Sequence, residues 1–238
     1  MKTLGLALAA LASIAFFAAL GQWQLRRAAE RDALERQFAL ATQMPALDVA
    51  PLEAADGDLR YRRIELAGHY DPEIQVLLDN MTRAGVAGYE VLTPFQPAGG
   101  GRAVVVNRGW VAGAPDRLEL PEIAVAADAR VLRGRIGTLP VPALRLDAGE
   151  PAPEGPVRVL SFPRQGDLEQ VFGREVVPYQ VLLDAADPDG YLRDAAPSPE
   201  AAGRHVAYAV QWFALAAATA VGALTLALRS ASRAGPPQ

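Results

Sequence analysis

Two long apolar runs bracket the chain, and between them the pattern changes to short alternating segments. From Val206 to Leu228 there is no charged side chain and no proline. At about 1.5 Å rise per residue, such a run crosses a hydrocarbon core of about 30 Å as one helix. The other run, Leu4 to Leu20, is uncharged and alanine-rich, and leads into Gly21-Gln22-Trp23-Gln24-Leu25-Arg26-Arg27. It is at the short end of what can span a bilayer. A cleaved signal peptide is the competing reading, since Ala19-Leu20-Gly21 is a passable small-x-small site. Against cleavage, the run is longer than a usual signal core and its helical pattern continues. Leu34, Phe38 and Ala41 fall on one face, and Asp32 can pair with Arg36 at i,i+4. The pattern favours an uncleaved anchor.

Between the runs, proline and glycine punctuate mostly extended segments. Met44 to Asp58 reads as a linker. Ile64 and Leu66 alternate with Arg63, Glu65 and Ala67; Ile74, Val76 and Leu78 alternate with Glu73, Gln75 and Leu77. Tyr89, Val91 and Thr93 form a third set, Val104-Val105-Val106 a more buried fourth, and Val131 to Ile136 a fifth. After a proline-rich break (Pro140, Pro142, Pro151, Pro153, Pro156) come Val157 to Leu160 and Val176 to Leu183. Period and β-branched content mark all of these as strands. Asp167 to Phe172 reads as a short helix stopped by Gly173. The predicted fold is a two-transmembrane-helix membrane protein with an intervening β-rich α+β domain, antiparallel, with an open barrel as the suggested form. The expected boundaries are a first transmembrane helix at 4–21, a helical extension at 22–43, the β-rich domain at 44–203, a second transmembrane helix at 205–228 and a tail at 229–238.

Charge orients this arrangement. The tail carries Arg229 and Arg233 with no acid, and the N-terminus carries Lys2, which favours a cytoplasmic location for both ends and an extracytoplasmic middle domain. Arg26, Arg27 and Arg31 argue the other way, although long domains translocate largely regardless of charge. A formal charge of −4 over 238 residues gives no electrostatic case for nucleic acid. The absence of cysteine excludes disulfides, iron–sulfur clusters and thiolate copper sites.

No catalytic set emerges. There is no G-x-S-x-G elbow and no H-E-x-x-H, and two histidines cannot make a histidine-rich metal site. Gly99-Gly100-Gly101 reads as a hairpin loop, and Asp184, Asp187 and Asp189 as a solvated turn lacking calcium-loop spacing. His69, on a strand with polar neighbours, reads as a surface residue. The expectation is a protein that is not an enzyme.

His205 differs from these because it stands at the mouth of the second apolar run, with Tyr208 and Trp212 three and seven residues on. Those spacings put the three rings on one helix face. Histidine is the commonest proximal haem ligand, and Arg26, Arg27 and Arg204 offer charge-assisted partners for propionates at similar depth. The bland alternative is an interfacial belt of His, Tyr and Trp beside snorkelling arginines. The residues alone leave both open.

Gly21 to Arg27, Leu59 to Ile64, Gly68 to Asp71, Leu77 to Phe95, Val105 to Val111 and Arg204 to Phe213, taken together and in this order, resemble the surfeit locus protein 1 (Surf/Shy) family. Gly21 to Arg27 resembles the end of its first span; Leu59-Arg60-Tyr61-Arg62-Arg63-Ile64 and Gly68-His69-Tyr70-Asp71 resemble its first strand and the following turn. Leu77-Leu78-Asp79-Asn80, Gly85, Gly88-Tyr89 and Val91-Leu92-Thr93-Pro94-Phe95 look like its central motif, and Val105-Val106-Asn107-Arg108-Gly109-Trp110-Val111 is similar to its most recognisable signature. Arg204-His205, Tyr208 and Trp212-Phe213 match the entry to its second span. One departure is Met81, where family members often carry arginine, and 139–156 matches no family segment.

The resemblance implies an assembly factor for haem-copper terminal oxidases that binds haem a and aids its insertion into the large catalytic subunit, in a bacterial inner membrane with the middle domain periplasmic. It implies His205 as the iron ligand, with Tyr208, Trp212, Trp23, Arg26, Arg27 and Arg204 completing the cofactor site. The expected partners are that oxidase subunit, the lipid bilayer and, as a further candidate, haem a synthase. Asn107 and Arg108, polar residues following a buried-looking strand, are the candidates for an oxidase-facing contact, whereas Gly88-Tyr89 and Gly109-Trp110 are expected to shape a strand end and a core ring. The alternative function is a membrane-anchored scaffold that stabilises the oxidase subunit without touching haem.

Overall fold

The computed structural model describes residues 2–48, 59–114, 119–141, 155–193 and 200–233. Most of the expected linker (49–58), most of the proline-rich break (142–154, with Pro142, Pro151 and Pro153) and the last residues of the tail lie outside them. The chain divides into two compact units, Met1–Gln37 with Pro197–Gln238, and Phe38–Ala196.

Helix α1 (Lys2–Gln43) runs unbroken through the apolar run and its polar continuation. No proline interrupts it until Pro45, which disfavours helical backbone in the residue before it. Asp32 and Arg36 approach to 3.8 Å, the i,i+4 pair read from the sequence.

The second unit is built on seven strands: β1 (Arg63–Tyr70), β2 (Gln75–Arg83), β3 (Val86–Pro97), β4 (Ala103–Ala112), β5 (Arg130–Gly137), β6 (Val157–Leu160) and β7 (Val176–Leu183). Their order is β1-β5-β7-β4-β3-β2-β6, and β1 also pairs with β3. Five strands thereby close a barrel, with β2 and β6 continuing from it as a flap. β3 permits this by changing partner along its length: Val86 to Leu92 pair with β2, and Phe95 to Pro97 with β1. Pro94 and Pro97, which have no N–H to donate, mark the change.

The sheet differs from the expected open, antiparallel form in two respects. The barrel is closed, and the β2–β6 and β4–β7 pairings are parallel. Both parallel pairs join strands distant in sequence, as parallel crossovers require. Period-2 patterning reveals which face a residue takes but not which strand lies beside it.

Three clusters form the core. Ile64, Leu66, Tyr70, Phe95, Val104, Val106, Leu132, Ile136 and Val181 fill the barrel. Val76, Leu78, Leu92 and Val105 pack on the opposite side beneath Leu168 and Phe172 of helix α2 (Gln165–Phe172). Leu77, Tyr89, Val91 and Ile123 make a third. Strands covered on both sides lose the alternation of half-exposed ones. β1 keeps a strict exposed–buried alternation, while Gln75 to Leu78 of β2 are all buried. The Asp167 carboxylate accepts from Arg164 N at 2.7 Å at the start of α2, and Gly173 ends it at φ 64°.

The end of α1 shows how this unit grips its helical turn. The last turn of α1 carries no basic residue. Arg62 Nη2 donates to Pro45 O at 3.2 Å, Arg63 Nη2 to Met44 O at 3.3 Å, and Arg135 Nη1 to Thr42 Oγ1 at 3.2 Å. The Arg135 guanidinium also lies 4.8 Å from the Phe38 ring centre. Arginines at and beside β1 and β5 supply the cations that a helix C-terminus favours.

In the first unit, α1 is joined by α3 (Glu200–Arg233). Both helices are long and apolar enough to cross a membrane. Phe17 stacks on Trp212 with centroids 5.9 Å apart, and Gln24 meets His205 at 2.7 Å. Advancing seven residues on one helix moves the contact back seven on the other, so the helices run antiparallel. Gly21 and Ala28 are buried on α1, and Ala209 and Ala216 on α3. The two seams, 17-21-24-28 and 205-209-212-216, share a 4-3-4 spacing, the repeat of side-by-side helices. Small residues allow the backbones to approach, and a Cβ added at Gly21 would lie 2.7 Å from the Phe213 ring.

Candidate functional site

Seam spacing determines which expected site residues meet. His205 is half-buried on the seam and its Nδ1 lies 2.7 Å from Gln24 Oε1, a bond across 181 residues of sequence. Among the described residues, Nε2 of His205 has no hydrogen-bond partner. At about 100° per residue, Tyr208 is turned about 60° from His205 and Arg204 about 100°. Tyr208 is 52% exposed and Arg204 is exposed, and both flank the histidine on the side facing away from the seam.

The other expected members are placed differently. Trp212 is two turns along α3, about 10 Å from the level of His205. Its ring is stacked on Phe17, so it is a seam residue before it is anything else. On α1, Trp23 is turned about 100° from Gln24 and Arg26 about 160°. Both are exposed, Trp23 at 48%. Arg27, about 60° from Gln24, pairs with Glu30 at 2.7 Å. His205, Tyr208 and Arg204 therefore cluster, whereas Trp23 and Arg26 share their depth but face elsewhere. Gln24, which the sequence presents only as part of a motif, is the α1 residue that the structure adds to the site. The available signal was an uncharged polar residue three positions after Gly21 and seven after Phe17.

The structure corrects the expected partner contact. Asn107 and Arg108 are 5% and 2% exposed, so neither side chain is presented to a partner. Asn107 Nδ2 donates to Glu90 Oε2 at 2.7 Å and Gln180 Oε1 at 3.1 Å, while its Oδ1 accepts from Gly109 N at 3.0 Å. Arg108 donates from Nε to Asp189 O, from Nη1 to Gln75 Oε1 and Ile123 O, and from Nη2 to Ala124 O, at 2.9–3.1 Å. Its guanidinium lies 5.8 Å from the Tyr70 ring centre and 5.1 Å from that of Tyr191. Arg108 fastens two loops over one end of the barrel, and burial lowers its pKa.

Backbone geometry explains the turn inward. Glu90 pairs with Trp110 but Leu92 with Asn107, an extra residue on β4, and Gly109 takes φ 105°. This bulge re-aims the two polar residues. Trp110 Nε1 donates to Met81 O at 2.6 Å, and Gly88 makes room for the Trp110 ring. At the position where the resemblance expects arginine, the Met81 side chain instead packs against the cluster beneath α2.

Beside Arg108, the Tyr70 hydroxyl is buried without a partner and its pKa is pushed up to about 12, chiefly by burial. Arg130 stacks on the same ring at 5.3 Å and pairs with Asp128 and Asp189. Burial also raises the pKa of Asp187, which accepts from Arg193 through its carbonyl at 2.8 Å. The turn at 184–189 is largely exposed, as expected, and its Asp187 and Asp189 carbonyls also accept from Arg193 and Arg108. His69 is exposed on β1, as read. Among the described residues no group of three or more His, Asp or Glu is placed to hold a metal ion.

Relatives cover much of this architecture. A SURF1-like protein of Monosiga brevicollis is 24% identical over 251 residues, covering 91% of this chain and 85% of the relative. Surfeit locus protein 1 of Takifugu rubripes is 26% identical over 220 residues, with 84% and 88% covered. Cytochrome oxidase assembly protein SHY1 of Saccharomyces cerevisiae is 25% identical over 179 residues, 71% of this chain and 44% of the yeast protein. A SURF1-like protein of Mycobacterium tuberculosis reaches 31% over 99 residues, a match spanning only 36% of that relative's length. The SURF1 family pattern itself runs from residue 11, inside the first apolar helix, to residue 217, inside the second, and the chain belongs to the SURF1 family.

Proposed function

We propose that this chain is a membrane-anchored assembly factor for a haem-copper terminal oxidase, holding haem a as cargo at His205 for insertion into the large catalytic subunit. The observation that carries the reading is a histidine at the mouth of an apolar helix pair, with one ring nitrogen engaged and Nε2 unpartnered among the described residues. Family membership and a yeast relative named for cytochrome oxidase assembly support the setting.

The donor set fits the cargo. A neutral imidazole nitrogen is an ordinary axial ligand, and haem supplies an iron that accepts it. In this arrangement His205 binds the iron through Nε2, Tyr208 flanks the macrocycle, and Arg204 holds a propionate. Arg27 is a second propionate partner if it exchanges Glu30 for the cargo. Trp212, stacked on Phe17, keeps the helices together beneath the site, and Trp23 and Arg26 anchor α1 at the interface. The farnesyl tail of haem a rests in lipid or along the helices. One protein ligand suits a carrier that must release its load. Both termini are cytoplasmic and the barrel is periplasmic in a bacterial inner membrane, and haem a synthase is a donor partner.

The test is deletion of the gene in its own cell, followed by measurement of haem a and copper in the purified oxidase. The reading expects an oxidase deficient in haem a, restored by wild type but not by His205→Ala. Full restoration by His205→Ala would favour the scaffold alternative.

A further inference from the structure

We infer that Gln24 is a positioning residue for His205: by accepting the Nδ1 proton across the helix pair, it reserves Nε2 for the iron. The inference rests on the haem reading above and assigns to α1 a part in a site otherwise carried by α3.

A neutral imidazole ring has one N–H and one lone pair, and the partner of one nitrogen decides the role of the other. With an amide oxygen 2.7 Å from Nδ1, Nδ1 donates and Nε2 keeps its lone pair. Ligating histidines ordinarily have such an outer partner, which fixes both tautomer and ring orientation. Here the partner comes from the opposite helix, so ligand geometry depends on the pairing of the helices. Gly21, Ala28 and Ala209 surround the contact and leave the two polar side chains room to meet.

The identity of the partner is informative as well. A carboxylate at position 24 would place a charge in the apolar seam and give the ring imidazolate character, making a stronger ligand. A neutral amide orients the ring without that strengthening. An oriented but moderate ligand matches a protein that hands its cargo on.

The experiment uses the full chain in detergent micelles, with His69→Gln introduced so that one imidazole remains; His69 is exposed and outside this site. Nitrogen-15 NMR of the haem-free protein, at a pH where the ring is neutral, reads the tautomer. Wild type at position 24 is expected to show the Nδ1–H form, and Gln24→Leu a shift to the Nε2–H form that predominates in free imidazole side chains. Titration with ferric haem a is then expected to show a 10- to 100-fold weaker affinity in Gln24→Leu. Gln24→Glu is expected to retain binding with a more negative midpoint potential, which a purely structural helix–helix bond would not alter. An Nε2–H tautomer in wild type overturns the inference, as does Gln24→Leu with unchanged tautomer and affinity. Nδ1–H in a wild type that takes up no haem a also overturns Gln24 as a positioning residue, and identifies the haem reading as the step that failed.

Discussion

Arg108→Met tests the loop-fastening role most severely, because methionine keeps most of the aliphatic volume and removes only the donors and the charge. Four acceptors lose a hydrogen bond: the carbonyls of Asp189, Ile123 and Ala124, and Gln75 Oε1. Gln75 Oε1 still receives Thr93 Oγ1 at 2.8 Å, leaving three carbonyls to find new donors. At about 1 kcal/mol each, the net worth of a typical intramolecular hydrogen bond, the loss is about 3 kcal/mol. Release of a desolvated charge offsets part of it, while lost stacking on Tyr70 and Tyr191 adds to it. For a domain of this size each kcal/mol moves Tm by about 2–4 °C, so a fall of about 6–12 °C is expected. Near-UV circular dichroism of the full chain in mild detergent measures it, and hydrogen exchange should show lost protection in 119–129 and 184–193. Arg108→Lys should recover less than half, since one ammonium cannot reach carbonyls on two loops. A Tm within ~2 °C of wild type, with loop protection intact, would refute the reasoning.

Two further outcomes follow. Tyr70 has a folded pKa of about 12 against about 10 in an unfolded chain. The folded state therefore holds the proton that the unfolded state releases, and stability is fully present below pH ~10 and falls through pH ~12. Tyr70→Phe should flatten this alkaline loss of about 2–3 kcal/mol without cost at neutral pH, because the hydroxyl has no partner; an unchanged alkaline denaturation curve would count against it. Gly21→Ile should part the helices, since the added Cβ meets the Phe213 ring at 2.7 Å. The chain has no cysteine, so cysteines placed at positions 17 and 212 report on the pairing. With Gly21 in place they should be joined by a short bismaleimide, and markedly less beside Gly21→Ile.

Much of the fold was legible because its determinants are local. Seven strands and a short helix appear where alternation, β-branching and glycine stops place them. Barrel closure was not legible, since it depends on β3 pairing with β2 and β1 in succession, and only Pro94 and Pro97 hint at the change. The burial of Asn107 and Arg108 departs from expectation for a related reason. In the sequence they follow the apolar Val104-Val105-Val106 run and look solvated, whereas they lie within β4, where a bulge at Gly109 turns them under loops arriving from elsewhere in the chain. In the helix pair, the sequence identified His205 by its position at the mouth of an apolar run. It could not rank its companions, because depth along a helix is read from the sequence directly whereas the facing side depends on the partner helix. Gln24 therefore replaces Trp23 and Arg26 as the α1 residue that reaches the histidine.

The central claim is that His205 holds haem a at the mouth of the helix pair, and the direct measurement is an absorption spectrum of the purified protein. Wild type and His205→Ala are expressed in cells that make haem a and isolated in mild detergent, with folding checked by the Tm of the barrel. The account predicts a haem a spectrum in wild type and its loss in the variant at unchanged Tm. Haem-free wild type, or equal haem in both proteins, would contradict it.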